Sequence, residues 1–92
     1  MYSLKRIKPD DGAGISDGWS VTLVRVEPAK HDPCIEYGVQ GPREGWVIHI
    51  DSPSRWYHTS IVTEILSEEE NDERVLIVFK TLNSTYEFRR FK

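Results

Sequence analysis

A chain of 92 residues with 12 Lys+Arg against 15 Asp+Glu carries a formal charge of −3. Counterion-release binding to a polyanion needs a surplus of cations along one surface, so this balance argues against a generic nucleic-acid clamp and leaves room only for a local basic face. With 38% hydrophobic, 29% charged and 11% aromatic residues, the composition suits one folded domain rather than a disordered segment or a membrane span. A domain this short buries roughly 60–65% of its unfolded surface, which disfavours a large internal catalytic cavity.

Cys34 is the single cysteine, so no intrachain disulfide framework is expected and a reducing, cytoplasmic setting is the simpler reading. Lys5, Arg6 and Lys8 are followed by Pro9, Asp10, Asp11 and Gly12 instead of an apolar stretch, so no secretory signal is expected. The longest apolar run, residues 75–79, is far too short to span a bilayer.

Residues 2–7 read as a short opening strand at a sheet edge, and residues 8–18, rich in Pro, Asp and Gly, as a loop. From residue 19 to 27 a β-branched, period-two alternation predicts a strand that Pro28 ends. Three prolines and three glycines between residues 28 and 45 predict a long loop, with room for a short strand at 35–39. A strand follows over 46–50 and a turn over 51–54, and then two strands, 59–66 and 74–82, form a hairpin. The polar connector 67–73 has Ser67 and Glu70 at capping-box spacing, which leaves room for a single helical turn, but no apolar periodicity follows to hold a real helix. Asn83 and Ser84 predict the last turn, with Asn83 in a left-handed conformation, before a final strand at 85–91.

These elements make an all-β domain of about five strands with no amphipathic helix. At this length a small closed barrel or a strongly bent antiparallel sheet is expected, because closure removes exposed edges. In order of elements and loop lengths, residues 19–91 resemble the SH3-like small barrels, with residues 1–18 as an N-terminal segment and loop. The pattern Thr59-Ser60-Ile61-Val62, followed by Thr81-x-Asn83-Ser84-x-Tyr86, resembles that of small bacterial and phage proteins of unassigned activity. That resemblance implies a bacterial or viral accessory, counter-defence protein and carries no mechanism.

The densest cluster of aromatic and polar residues is Arg55-Trp56-Tyr57-His58-Thr59-Ser60, close in sequence to Arg43 and Trp46. Rings beside guanidinium groups stack a base and neutralise a phosphate, and hydroxyls bond phosphate or sugar oxygens. The competing reading recruits the tryptophans to the core and starts a strand at Thr59. In the expected hairpin, Thr81 and Leu82 face Thr59 and Ser60, which adds Asn83, Ser84 and Tyr86 to one polar rim.

His49, Asp51, His58, His31 and Cys34 lack the repeated pairing of a specific zinc site, so no metal and no cofactor is expected. Asp51, His58 and Ser60 supply triad residue types without a nucleophile elbow, so no enzymatic activity is expected. The leading expectation is a non-enzymatic protein that sequesters a nucleotide-like small molecule. Trp46, Trp56 and Tyr57 would stack, Arg43 and Arg55 would meet phosphate, and Thr59, Ser60, Asn83 and Ser84 would orient the ligand. So small a barrel offers little pocket volume, which further predicts a homo-oligomer.

The alternative is a module that inhibits a host protein through its aromatic face or the acidic connector. A third is a small RNA- or single-strand-binding barrel, although extended nucleic acid is disfavoured as a partner.

Overall fold

The computed structural model describes residues 2–25, 34–37 and 41–92, the segment 34–37 by the course of its backbone alone. Among them are nine strands and no helix: β1 (Tyr2–Lys8), β2 (Gly14–Gly18), β3 (Ser20–Arg25), β4 (Cys34–Tyr37), β5 (Trp46–Asp51), β6 (Trp56–His58), β7 (Val62–Glu70), β8 (Arg74–Thr81) and β9 (Thr85–Phe91). No described helix is long and apolar enough to cross a membrane. The chain is all-β, as its alternation predicts, with the strands divided between two antiparallel sheets. One has the order β2-β1-β9-β8-β7 and the other β4-β3-β5-β6.

Alternation places one face of each sheet on a shared interior. Leu4, Ile15, Val62, Ile77, Phe79, Tyr86 and Phe88 come from the larger sheet, and Val21, Leu23, Ile48 and Ile50 from the smaller. The sheets join at a corner where β2 passes into β3 through Trp19 alone. Gly18 turns that corner beneath Ile50, whose Cγ2 lies 2.1 Å from where a Cβ on Gly18 would stand. Two backbone hydrogen bonds then hold the two ends of β5, one from the β2–β3 connector and one between the residue before β5 and the outer strand β7. The Trp19 N–H donates to the Asp51 carbonyl at 2.6 Å, and the Gly45 N–H donates to the Val62 carbonyl at 2.8 Å.

Several expectations need correction. Residues 8–18 are not all loop, because residues 14–18 form β2, and the opening strand β1 therefore lies between β2 and β9 instead of at an edge. Strand chemistry was hidden there, since β2 buries only one apolar side chain, Ile15, among turn-forming residues. The helical turn at Ser67 does not form. Residues 67–70 continue β7 and pair with residues 75–78, because the apolar run of β8 presents a complete ladder and no apolar periodicity holds a helix. The true turn is shorter: Asn71 Oδ1 accepts from the N–H groups of Glu73 at 2.8 Å and Arg74 at 2.9 Å.

The strand expected from residue 59 begins at Val62, and it is Val62, not Thr59 or Ser60, that faces Thr81. Among the described residues no side-chain-bearing residue has positive φ, so Asn83 is not left-handed. The strand expected over 19–27 is observed as Ser20–Arg25, with Trp19 in the connector from β2 and residues 26 and 27 outside the described residues, as is half of the loop expected at 28–45.

Gly14 has φ 140°, and a Cβ there would stand 2.1 Å from the Leu4 carbonyl oxygen, a backbone atom that cannot step aside. Gly14→Ala is expected to lower unfolding free energy by about 2–3 kcal/mol, the cost of a backbone region open only to glycine together with the clash. Urea denaturation measures it, with an unchanged slope showing that the native topology is kept.

Candidate functional site

The residues singled out by sequence fall into four places. Parity in the β5–β6 pair decides the first two. His49 lies opposite His58, Ile50 opposite Tyr57 and Asp51 opposite Trp56. Ile50 is fully buried, so Tyr57 turns inward with it, and His49, Asp51, Trp56 and His58 share the outer face.

On that outer face the Trp56 indole is 59% exposed. It stacks on His58 with ring centroids 5.0 Å apart and planes 17° apart, and on His49 at 5.5 Å and 18°. His49 Nε2 lies 3.2 Å from Asp51 Oδ1, which fixes the imidazole from its far side. An exposed indole is thus held in one orientation before any ligand arrives. Arg55, just before Trp56, is exposed and lines an open depression of ≈ 240 Å³ with Ser3, Lys5, Gly12, Gly14 and Ser16. Neither Lys5 nor Arg55 has a carboxylate partner among the described residues, whereas neighbouring Arg6 is committed to Asp11.

The inner side holds a different arrangement. The Tyr57 and Tyr86 hydroxyls lie 3.1 Å apart and the rings meet edge-on at 6.1 Å, while Tyr86 stacks on Phe79 at 5.4 Å. Tyr57 therefore bridges the sheets. Burial, then the hydrogen bond to Tyr86, push its phenol up to about 12, and the Arg6 cation opposes the shift. Arg6 is held by Asp11 through both oxygens, Nε–Oδ1 at 3.0 Å and Nη2–Oδ2. That bond and the Ala13 N–H hold the Asp11 carboxyl below its ordinary value.

Thr59 is buried and structural. Its Oγ1 accepts from the Ile48 N–H at 3.3 Å and donates to the Ser60 carbonyl at 2.7 Å, extending the β5–β6 ladder by one residue. Ser60 is half-buried beside it. Arg43 and Trp46 pair with each other, the guanidinium carbon 5.8 Å from the ring centroid, at the beginning of β5. Trp56 faces the other end, roughly 17 Å away at strand rise.

Asn83 and Ser84 lie on the β8–β9 turn, in a second depression lined by residues of β1, β8 and β9. The structure thus brings Arg55, Trp56 and His58 together, and Tyr57 with Tyr86, but does not unite all the candidates in one pocket. His49 and Asp51 were legible only as a weak metal pair. Lys5 carried no sequence signal, because β1 meets Arg55 only through the fold. Among the described residues no group of three or more His, Cys, Asp or Glu side chains is arranged to hold a metal ion. His31 lies outside the described residues.

Tyr57→Phe removes the hydroxyl partner of buried Tyr86 and is expected to cost about 1 kcal/mol of stability. The pH dependence has a definite sign. The unfolded chain releases the Tyr57 proton near 10.0 and the folded chain holds it to about 12, so stability falls as pH rises from 10 towards 12. Ultraviolet titration of the tyrosines should show a late phenol that Tyr57→Phe abolishes. No family model matches the chain, and neither a curated protein nor a solved structure does.

Proposed function

We propose that this chain is a non-enzymatic binding protein that captures a nucleotide-like anion, the base lying on Trp56 and the phosphate meeting Arg55 and Lys5. The observation that carries the reading is the adjacency of a pre-oriented, 59% exposed indole to a depression lined by two cations that have no carboxylate partner among the described residues. Surface tryptophans held by flanking rings offer a flat π face at little entropic cost, and stacking on such a face is sequence-tolerant. The depression, at ≈ 240 Å³, is smaller than the roughly 300–1,000 Å³ of pockets that enclose a ligand. It therefore takes the phosphate end, and the base rests outside on the sheet.

A second reading follows from β7. This outer strand carries Glu64, Glu68, Glu69 and Glu70, all exposed, and the turn adds Asp72 and Glu73. A basic protein partner would be steered to that edge, mainly through its association rate.

Titration of tryptophan fluorescence with linear and cyclic nucleotides separates the two. The nucleotide reading expects saturable quenching. Trp56→Ala should weaken binding roughly 5- to 150-fold, the equivalent of about 1–3 kcal/mol of stacking, and Arg55→Gln should weaken it and flatten its salt dependence. Native mass spectrometry of the same preparation reads any retained small molecule and the oligomeric state. Absence of quenching by every nucleotide, with a stoichiometric protein partner lost on reversing Glu68, Glu69 and Glu70 to Lys, overturns the nucleotide reading in favour of the second.

A further inference from the structure

We infer that the chain carries a second, separate oxyanion site at the β8–β9 turn, built by Lys8, Lys80, Asn83 and Ser84 for a phosphate group, free or as the end of an organic molecule. Strand register makes the site. Thr85 pairs with Lys8 on one side and with Lys80 on the other, so the two lysines flank a single residue of β9. Two strand spacings separate their backbones by roughly 10 Å, a gap that two lysine side chains reach across to meet one anion.

Neither lysine has a carboxylate within ion-pair distance among the described residues, although Glu64 is the partner of Lys80 across β7. A register shift between Val62 and Glu64 interrupts the ladder at that point. Two like charges on adjacent ladders, neither held in an ion pair among the described residues, repel weakly across the sheet, and an anion between them relieves the repulsion.

The turn supplies the uncharged donors. The Thr81 N–H donates to the Ser84 carbonyl at 2.8 Å and the Thr81 hydroxyl donates to the same oxygen at 3.3 Å, which fixes the turn from inside. The Asn83 amide and Ser84 hydroxyl make no hydrogen bond within the described structure and line the depression with both lysines. Its volume is ≈ 290 Å³, and Pro9 and Leu82 give it apolar walls. Leu82 is 67% exposed, an apolar rim that suits the organic part of a phosphate ester. This site is independent of the Trp56 face, and either can fail alone.

The test is an amide NMR titration of the intact chain with inorganic pyrophosphate and, separately, with phenyl phosphate. Saturable shifts are expected at Thr81, Asn83, Ser84 and Thr85 and at the Asn83 side-chain amide. A Lys8→Gln/Lys80→Gln pair should weaken binding at the turn tenfold or more, and Lys92→Gln, beyond the far end of β9, should leave it unchanged. Because both lysines are exposed, the double variant keeps its fold, checked by the unperturbed spectrum of the core. Tighter binding of phenyl phosphate supports the organic source, and equal binding supports the free anion. Shifts that never saturate, or that persist at full strength in the double lysine variant, overturn the proposal.

Discussion

The architecture depends on a corner without a side chain. At Gly18 the chain leaves the larger sheet and, one residue later, enters the smaller, while Ile50 occupies the space a Cβ would need. Any larger residue there would push β5 away from β2 and open the interior in which Leu23, Ile48, Phe79 and Phe88 are fully buried. With the corner closed, β5 is within reach of both outer strands of the larger sheet, and the hydrogen bonds from Trp19 and Gly45 hold it at each end. Burial and closure are then one event. That satisfies exposed ladder groups as well as removing apolar surface from water.

Once β5 is fixed, parity along its partner β6 divides the chemistry. A slip of one residue would bury Trp56 and expose Tyr57, exchanging a surface ring for the phenol that bridges the sheets. The buried Ile50 opposes that slip, and so does the hydroxyl pair of Tyr57 and Tyr86, which joins the two sheets across the interior. The exposure of Trp56 is therefore a consequence of core packing. Charge is divided as sharply. Residues 64–73 hold six acidic groups and no basic one, leaving 12 basic against 9 acidic residues elsewhere, a formal +3. The net charge of −3 conceals a predominantly basic body with one acidic outer strand.

Strands with unbroken β-branched or aromatic alternation, β3, β5, β8 and β9, were legible because each carries its own period-two signal. β2 and the distal half of β7 were not, because their stability comes from ladders supplied by β1 and β8 rather than from their own side chains. The site divided the same way. Arg55, Trp56 and His58 are neighbours in sequence and stay neighbours in space. Lys5, Lys8 and Lys80 are brought to the depressions only by register, which no local pattern encodes.

The pattern of Thr59-Ser60 and Thr81-x-Asn83-Ser84-x-Tyr86 looks at first like a ligand motif, yet most of it is framework. Thr59 extends the β5–β6 ladder, Thr81 fixes its turn from inside, Thr85 is buried and Tyr86 stacks on Phe79. The Thr59, Thr81 and Tyr86 hydroxyls are already engaged within the fold, which leaves them little to offer a ligand. The Asn83 and Ser84 side chains are not so engaged, since the turn's own hydrogen bonds use the backbone and the Thr81 hydroxyl. The pattern thus builds a rigid support and presents two polar side chains on it, beside lysines from elsewhere in the chain. A framework of this kind fixes where a ligand sits while leaving its identity to the surrounding cations and rim.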